Sequence, residues 1–161
     1  MSYRIIADRV KSIMQRIDGV HNVHLYLRDV PDEAEFISTF TVQLETKTVL
    51  TAWMLTRTGL EVTHPTFDVT HMYDVKHRVE IQGFYGLSDA EESELEFQAV
   101  VDEILDKFRK KYLLEDEITG VALAGVILCD PIQVLEIGHG QFSNYFVHFT
   151  RLLLSVTERL Q

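Results

Sequence analysis

The chain has 161 residues, 46% hydrophobic and 25% charged, with a formal charge of −10 at pH 7. That length suits one domain, since a domain of about 150 residues buries roughly 70% of its unfolded surface, and the negative charge argues against a DNA reader, whose phosphate affinity comes from Lys and Arg releasing counterions. Cys129 is the single cysteine, which excludes an intrachain disulfide and a thiolate metal cluster, and no apolar run approaches the roughly 20 residues of a membrane helix.

At the N-terminus, Ile6, Val10, Ile13, Met14 and Ile17 recur at helical spacing and predict an amphipathic helix over about residues 3 to 17, ended by Asp18-Gly19. Arg4, Asp8, Arg9 and Lys11 interrupt it, so it lacks the apolar core of a signal peptide and a cytoplasmic origin is expected. Residues 22 to 28 alternate, with Val23, Leu25 and Leu27 opposite His24, Tyr26 and Arg28, the period of a strand with one wet face. Asp29 to Glu35, including Pro31, reads as an acidic loop. Phe36 to Leu44 and Thr51 to Thr58 are rich in β-branched and aromatic residues and read as a hairpin across Glu45-Thr46-Lys47. Leu60 to Asp74 has Pro65, scattered aromatics and no clean period; an irregular segment of that length is usually functional or ordered by a partner. Phe67, Met72 and Tyr73 in it are therefore the candidate interface residues.

From His77 to Gln82 the alternation returns, Val79 and Ile81 pointing one way and Arg78, Glu80 and Gln82 the other, until Gly83 to Gly86 break it. Ser88-Asp89-Ala90-Glu91 has the form of a capping box and opens a helix that runs to Lys111. Its apolar face is Phe97, Val101, Ile104, Leu105, Phe108 and Tyr112. Acids crowd its first turns and Lys107, Arg109, Lys110 and Lys111 its last, the arrangement the helix dipole favours without any catalytic purpose. Leu113 to Gly120 is an acidic connection. Val121 to Leu128 predicts a buried strand stopped by Pro131, Gln133 to Ile137 another short strand, Gly138-His139-Gly140 a turn and Tyr145 to Thr157 the last strand. The order predicts one α+β domain over residues 1–161, a mainly antiparallel β-sheet with two principal helices packed on it.

Chemistry is hard to find in this pattern. The seven histidines include His21-x-x-His24 and the set His64, His71 and His77, but no His-Glu-x-x-His motif and no pair at zinc-helix spacing. His139 between two glycines reads as a turn residue and Cys129 as a buried structural thiol. Neither a Gly-x-Ser-x-Gly elbow nor a Walker-type loop occurs. No catalytic, cofactor-binding or metal-binding residue is predicted. The competing reading from another class is a small His-dependent or metal-dependent enzyme using His64, His71, His77 or His139.

Four parts in order carry a resemblance: the N-terminal helix running into Ile17-Asp18-Gly19-Val20, the strand Arg78-Val79-Glu80-Ile81-Gln82-Gly83, the helix from Ser88 to Lys111, and the closing strand with Phe149, Leu152, Leu154 and Val156. Together they resemble the tail-terminator and tail-completion (neck) proteins of long-tailed bacteriophages. The resemblance implies a structural virion protein, not an enzyme, that is made in the host cytoplasm and assembles as a ring, commonly a hexamer, at the head-proximal end of the tail. Its implied partners are copies of itself, the tail tube protein and a head-side connector or neck protein. DNA would pass its channel without specific binding, and no cofactor or membrane is involved. A head-side neck, stopper or collar protein is the nearest alternative role. On this reading, replacing Phe67 and Tyr73 by polar residues weakens assembly and leaves the fold intact, which native mass spectrometry and circular dichroism on the double variant would check.

Overall fold

The computed structural model describes residues 3–28, 32–44, 47–64, 72–88, 92–142 and 144–160. Among them the elements are α1 (Tyr3–Met14), β1 (Val23–His24), α2 (Glu33–Phe40), β2 (Thr41–Leu44), β3 (Lys47–Thr63), β4 (Tyr73–Gly86), α3 (Ser93–Arg109), β5 (Val126–Cys129), β6 (Gln133–Phe142) and β7 (Tyr145–Leu160). The architecture is α+β: a mixed seven-stranded sheet with three helices. Its backbone is the antiparallel set β3-β4-β7, with β1 beside β3 as the single parallel neighbour and β5 and β6 both beside β7. No helix among the described residues is long and apolar enough to cross a membrane.

Period-2 alternation sorts the long strands into two faces. On one face Leu55, Ile81 and Leu152 are register partners across three strands and all are fully buried. α1 covers this face through Ile6, Val10, Ile13 and Met14, and α3 covers it through Phe97, Val101, Ile104 and Phe108, so the main core lies between these two helices and the sheet. Arg9 pins the connection after α3 onto α1, its Nη1 donating to Leu114 O and Val121 O at 3.1 Å each. Among the described residues the other face is covered only at one end, where Phe36 and Phe40 of α2 pack on Leu50, Ala52 and Val147, with the rings of Phe84, Phe142 and Tyr145 alongside.

Several local expectations are corrected. The acidic stretch after Asp32 and the run Phe36–Phe40 are helical, not loop and strand: the Asp32 carboxylate caps α2 by accepting the Glu35 N–H at 2.9 Å. The early strand shrinks to Val23–His24, and Leu27 is exposed. The two ends of the expected irregular segment are strand, since β3 runs to Thr63 and β4 begins at Tyr73, and residues 65–71 lie outside the described residues. Val121 is exposed and the strand after it is only Val126–Cys129, buried at its two ends and exposed at Ile127 and Leu128. The later helix starts at Ser93, not Ser88; its N-cap residue Glu92 takes a left-handed φ of 51° and makes no side-chain capping bond. Asp89 to Glu91 lie outside the described residues. Tyr112, expected on the buried face of that helix, follows its end and is exposed.

The glycines carry the most instructive correction. β4 continues through Gly83 to Gly86 without a break, because Gly83 is not a turn residue but a seat for Trp53: a Cβ there would lie 2.3 Å from Trp53 Cζ3. Gly138 and Gly140 likewise sit inside β6, where their missing side chains leave room for the Phe149 ring. Gly83→Ala forces the indole or the strand to move, an overpacking cost of about 1–3 kcal/mol. Urea denaturation should show a lower midpoint for that variant with an unchanged slope.

Candidate functional site

The feature that most needs a partner is the pair of outer edges of the sheet. On the edge of β3 away from β4, β1 pairs only with Trp53 and Met54, and beyond them no strand lies beside residues 55–63 among the described residues. This stretch carries Leu60 and Val62, both more than half exposed. At the opposite margin β6 pairs with β7 on one side and with no described strand on the other, while exposing Val134, Leu135 and Ile137 at 44–49%. Phe146, the second residue of the neighbouring β7, is 72% exposed. β5 is better protected, since its Cys129 N–H donates to Tyr112 O at 2.6 Å from the segment after α3. Long apolar edges invite strand pairing, and proteins that stay single blunt them with Lys, Pro or cover. Val134, Leu135 and Ile137 have none of these guards, although both edges contain a bulge, between Arg57 and Gly59 and between Val134 and Glu136.

The charges at both margins are internally paired. On the free stretch of β3 the Arg57 guanidinium lies 5.2 Å from the Tyr3 ring centroid and Glu61 meets Arg78 at 3.9 Å. At β6, Glu136 meets Arg151 at 3.5 Å and His139 Nε2 lies 3.9 Å from Glu94. The open part of the second sheet face is charged too, again in matched pairs. Asp74 and Arg159 make a two-point bridge at 2.8 and 2.9 Å, Lys76 meets Asp130 at 2.8 Å, and Arg151 grips Glu80 at 2.9 and 3.2 Å. The Arg151 hydrogen bond holds the Glu80 carboxyl below its ordinary value, against the opposing effect of burial. Such a face is wetted and internally neutralised, so it is less suited to apolar contact than the edges.

Among the described residues the histidines are dispersed, apart from His139 and His148, whose rings meet. His77 is buried against Glu158, Nε2 to Oε1 2.8 Å, inside the main sheet. His64 stands at the end of β3 against the Tyr73 ring, and His71 lies outside the described residues. His24 packs edge-on to Phe40, and burial lowers its pKa. His139 is in mid-strand with its ring 4.9 Å from that of His148. His148 Nε2 is 2.9 Å from the hydroxyl of Ser93, the first residue of α3, at the foot of a cleft of about 290 Å³. Periodicity could place His148 on the inner face with Leu152, but nothing in the sequence links it to a serine 55 positions away. Chemically the pair is a clamp: Ser93 Oγ also accepts the Ser88 N–H at 2.8 Å, and both side chains are buried. Cys129 is buried, its thiol pushed up to about 12 by burial and then by Asp130 and Glu115, so it is a poor nucleophile. Among the described residues no three His, Cys, Asp or Glu side chains are grouped to hold a metal ion. Compared with models of known protein families and with curated proteins, the chain matches none.

Of the three candidate interface residues, Phe67 lies outside the described residues; Met72 and Tyr73 are half-buried at the start of β4, where Tyr73 pairs with Leu160. Gln133 to Ile137 is a strand as its pattern predicts, but Gly138-His139-Gly140 continues it as far as Phe142 instead of turning.

The Glu80–Arg151 pair makes stability pH-dependent with a definite sign. A carboxyl whose folded pKa lies below its ordinary 4.5 contributes stability that is fully present above that value and is lost as pH falls through the folded value. Between about pH 5 and pH 3 the urea midpoint of the native protein should therefore fall more steeply than that of Glu80→Gln. Parallel curves for the two proteins would remove the pair from the pH response.

Proposed function

We propose that this chain is a structural protein of a bacteriophage tail that assembles as a ring, commonly of six copies, at the head-proximal end, ending the tail tube and joining it to the neck or connector. The observation that carries the reading is the two unlike, apolar, open edges of one sheet. Contact between two different edges is heterologous, and heterologous contacts that close generate rings. An edge that met its own copy would give a two-fold dimer and leave the other edge exposed.

Three further features fit the role. The −10 charge is unfavourable for DNA adhesion, which a channel that passes DNA must avoid. Acidic residues of α3, among them Glu94, Asp102 and Glu103, are exposed and available to such a surface. The polar groups that do meet, Ser93 with His148 and His77 with Glu158, are buried and engaged inside the fold, which favours architecture over catalysis.

Native mass spectrometry with negative-stain imaging of the purified protein is the test. Closed rings of about six copies are expected. A monomer at tens of micromolar that also fails to bind purified tail tubes would overturn the proposal.

A further inference from the structure

We propose that neighbouring copies in this ring join by antiparallel strand addition, β6 of one copy lying along the free stretch of β3, residues 55–63, of the next. The inference rests on the ring reading above and adds the surfaces that make the contact.

Strand direction is the first argument. β3 and β7 are both antiparallel to β4, so they run the same way, and β6 is antiparallel to β7. β6 of one copy therefore meets β3 of a copy rotated beside it in the antiparallel sense, which forms the more stable kind of ladder.

Height along the strands is the second. Ile137 pairs with Thr150, Thr150 with Gly83 and Gly83 with Trp53, so Ile137 stands level with Trp53, whose outer edge β1 already occupies through Val23. Copies set side by side with no displacement would thus put the middle of β6 against an occupied edge. A sheet that closes into a ring has strands tilted by roughly 35–45° to its axis, so its successive edges meet displaced along the strand. With strands about 4.8 Å apart, a rise of about 3.3 Å per residue and the spacings β3-β4-β7-β6-β3 of one repeat, the displacement is roughly four to six residues. Moving from Trp53 by that amount toward the C-terminal end of β3 reaches Arg57 to Gly59, inside the free stretch, whereas the opposite sense reaches Lys47 to Val49, which β2 already pairs. The first sense is therefore the one that brings two unpaired segments together.

Surface chemistry is the third. Leu135 and Ile137 of β6 then lie near Leu60 of the next copy, covering apolar surface on both sides.

The contact is tested by cysteine cross-linking in the full-length protein. Leu135→Cys and Leu60→Cys are made singly and together, the ring state of each variant is measured by native mass spectrometry, and a short flexible bis-maleimide is added. Cys129 is buried and serves as the internal control. The proposal expects a ladder of covalent oligomers up to the ring number in the double variant, a covalent dimer when the two single variants are mixed and co-assembled, and no oligomer from either alone. Covalent dimers from Leu135→Cys alone would overturn it in favour of β6 meeting β6. Intact rings with no cross-link in the double variant would overturn it and leave the ring standing, whereas absence of rings in the native protein would sink the ring reading itself. If either cysteine prevents assembly, Val134→Cys with Val62→Cys probes the same pair of strands.

Discussion

Trp53 resting on the bare backbone of Gly83 is the constraint around which the rest of this sheet is arranged. The indole is buried, fills the space a Cβ at Gly83 would take, and stacks near Phe97 of α3 at 6.1 Å between ring centroids. Because strand side chains alternate, a slip of one residue between β3 and β4 would set Trp53 against a side chain in place of Gly83 and turn either Leu55 or Ile81, whichever strand slipped, out of the core. One pairing thus fixes which face the helices cover. Trp53 also receives β1, pairing with Val23, and its backbone N–H donates to Asn22 O at 3.1 Å. The only parallel contact among the described strands is therefore held at the same point that sets the antiparallel register, and it ends at Met54. The free stretch of β3 begins at the next residue.

Much of the core was legible because its residues obey a local period. Ile6, Val10, Ile13 and Met14 on α1, Phe97, Val101, Ile104 and Phe108 on α3, and Val79 and Ile81 on β4 all lie where spacing places them. What was hidden depends on contacts between distant positions. Gly83 reads as a turn unless Trp53, thirty residues away, is known to lie on it, and Gly138 and Gly140 read as a turn until Phe149 is placed beside them. α2 is a different case: β-branched and aromatic composition pointed to a strand, while Asp32 followed three residues later by Glu35 was a capping signal already present. Competition between those two local cues was decided by tertiary packing, since Phe36 and Phe40 lie on one helical face and cover the second side of the sheet. Of the candidate interface, the exposed apolar character of Val134, Leu135 and Ile137 was visible in principle, but their place on an edge was not.

Function in this reading follows from what the fold leaves open. The second face of the sheet is closed off to apolar partners by ion pairs such as Arg151 with Glu80 and Arg159 with Asp74. The titratable pairs that resemble catalytic groups are locked into the structure. What remains among the described residues are two unlike edges, offset in height, on a chain whose overall charge repels nucleic acid. A monomer with such edges carries an aggregation hazard; a closed ring removes it, because every edge finds a different edge and none is left over.

Amide hydrogen exchange, read segment by segment in the assembled protein and in the same protein diluted to monomer, measures this most directly. The account predicts that amides in 55–63 and 133–142 gain strong protection on assembly while those of α1 and α3 do not change. Equal exchange of those two strand segments in both states would contradict it.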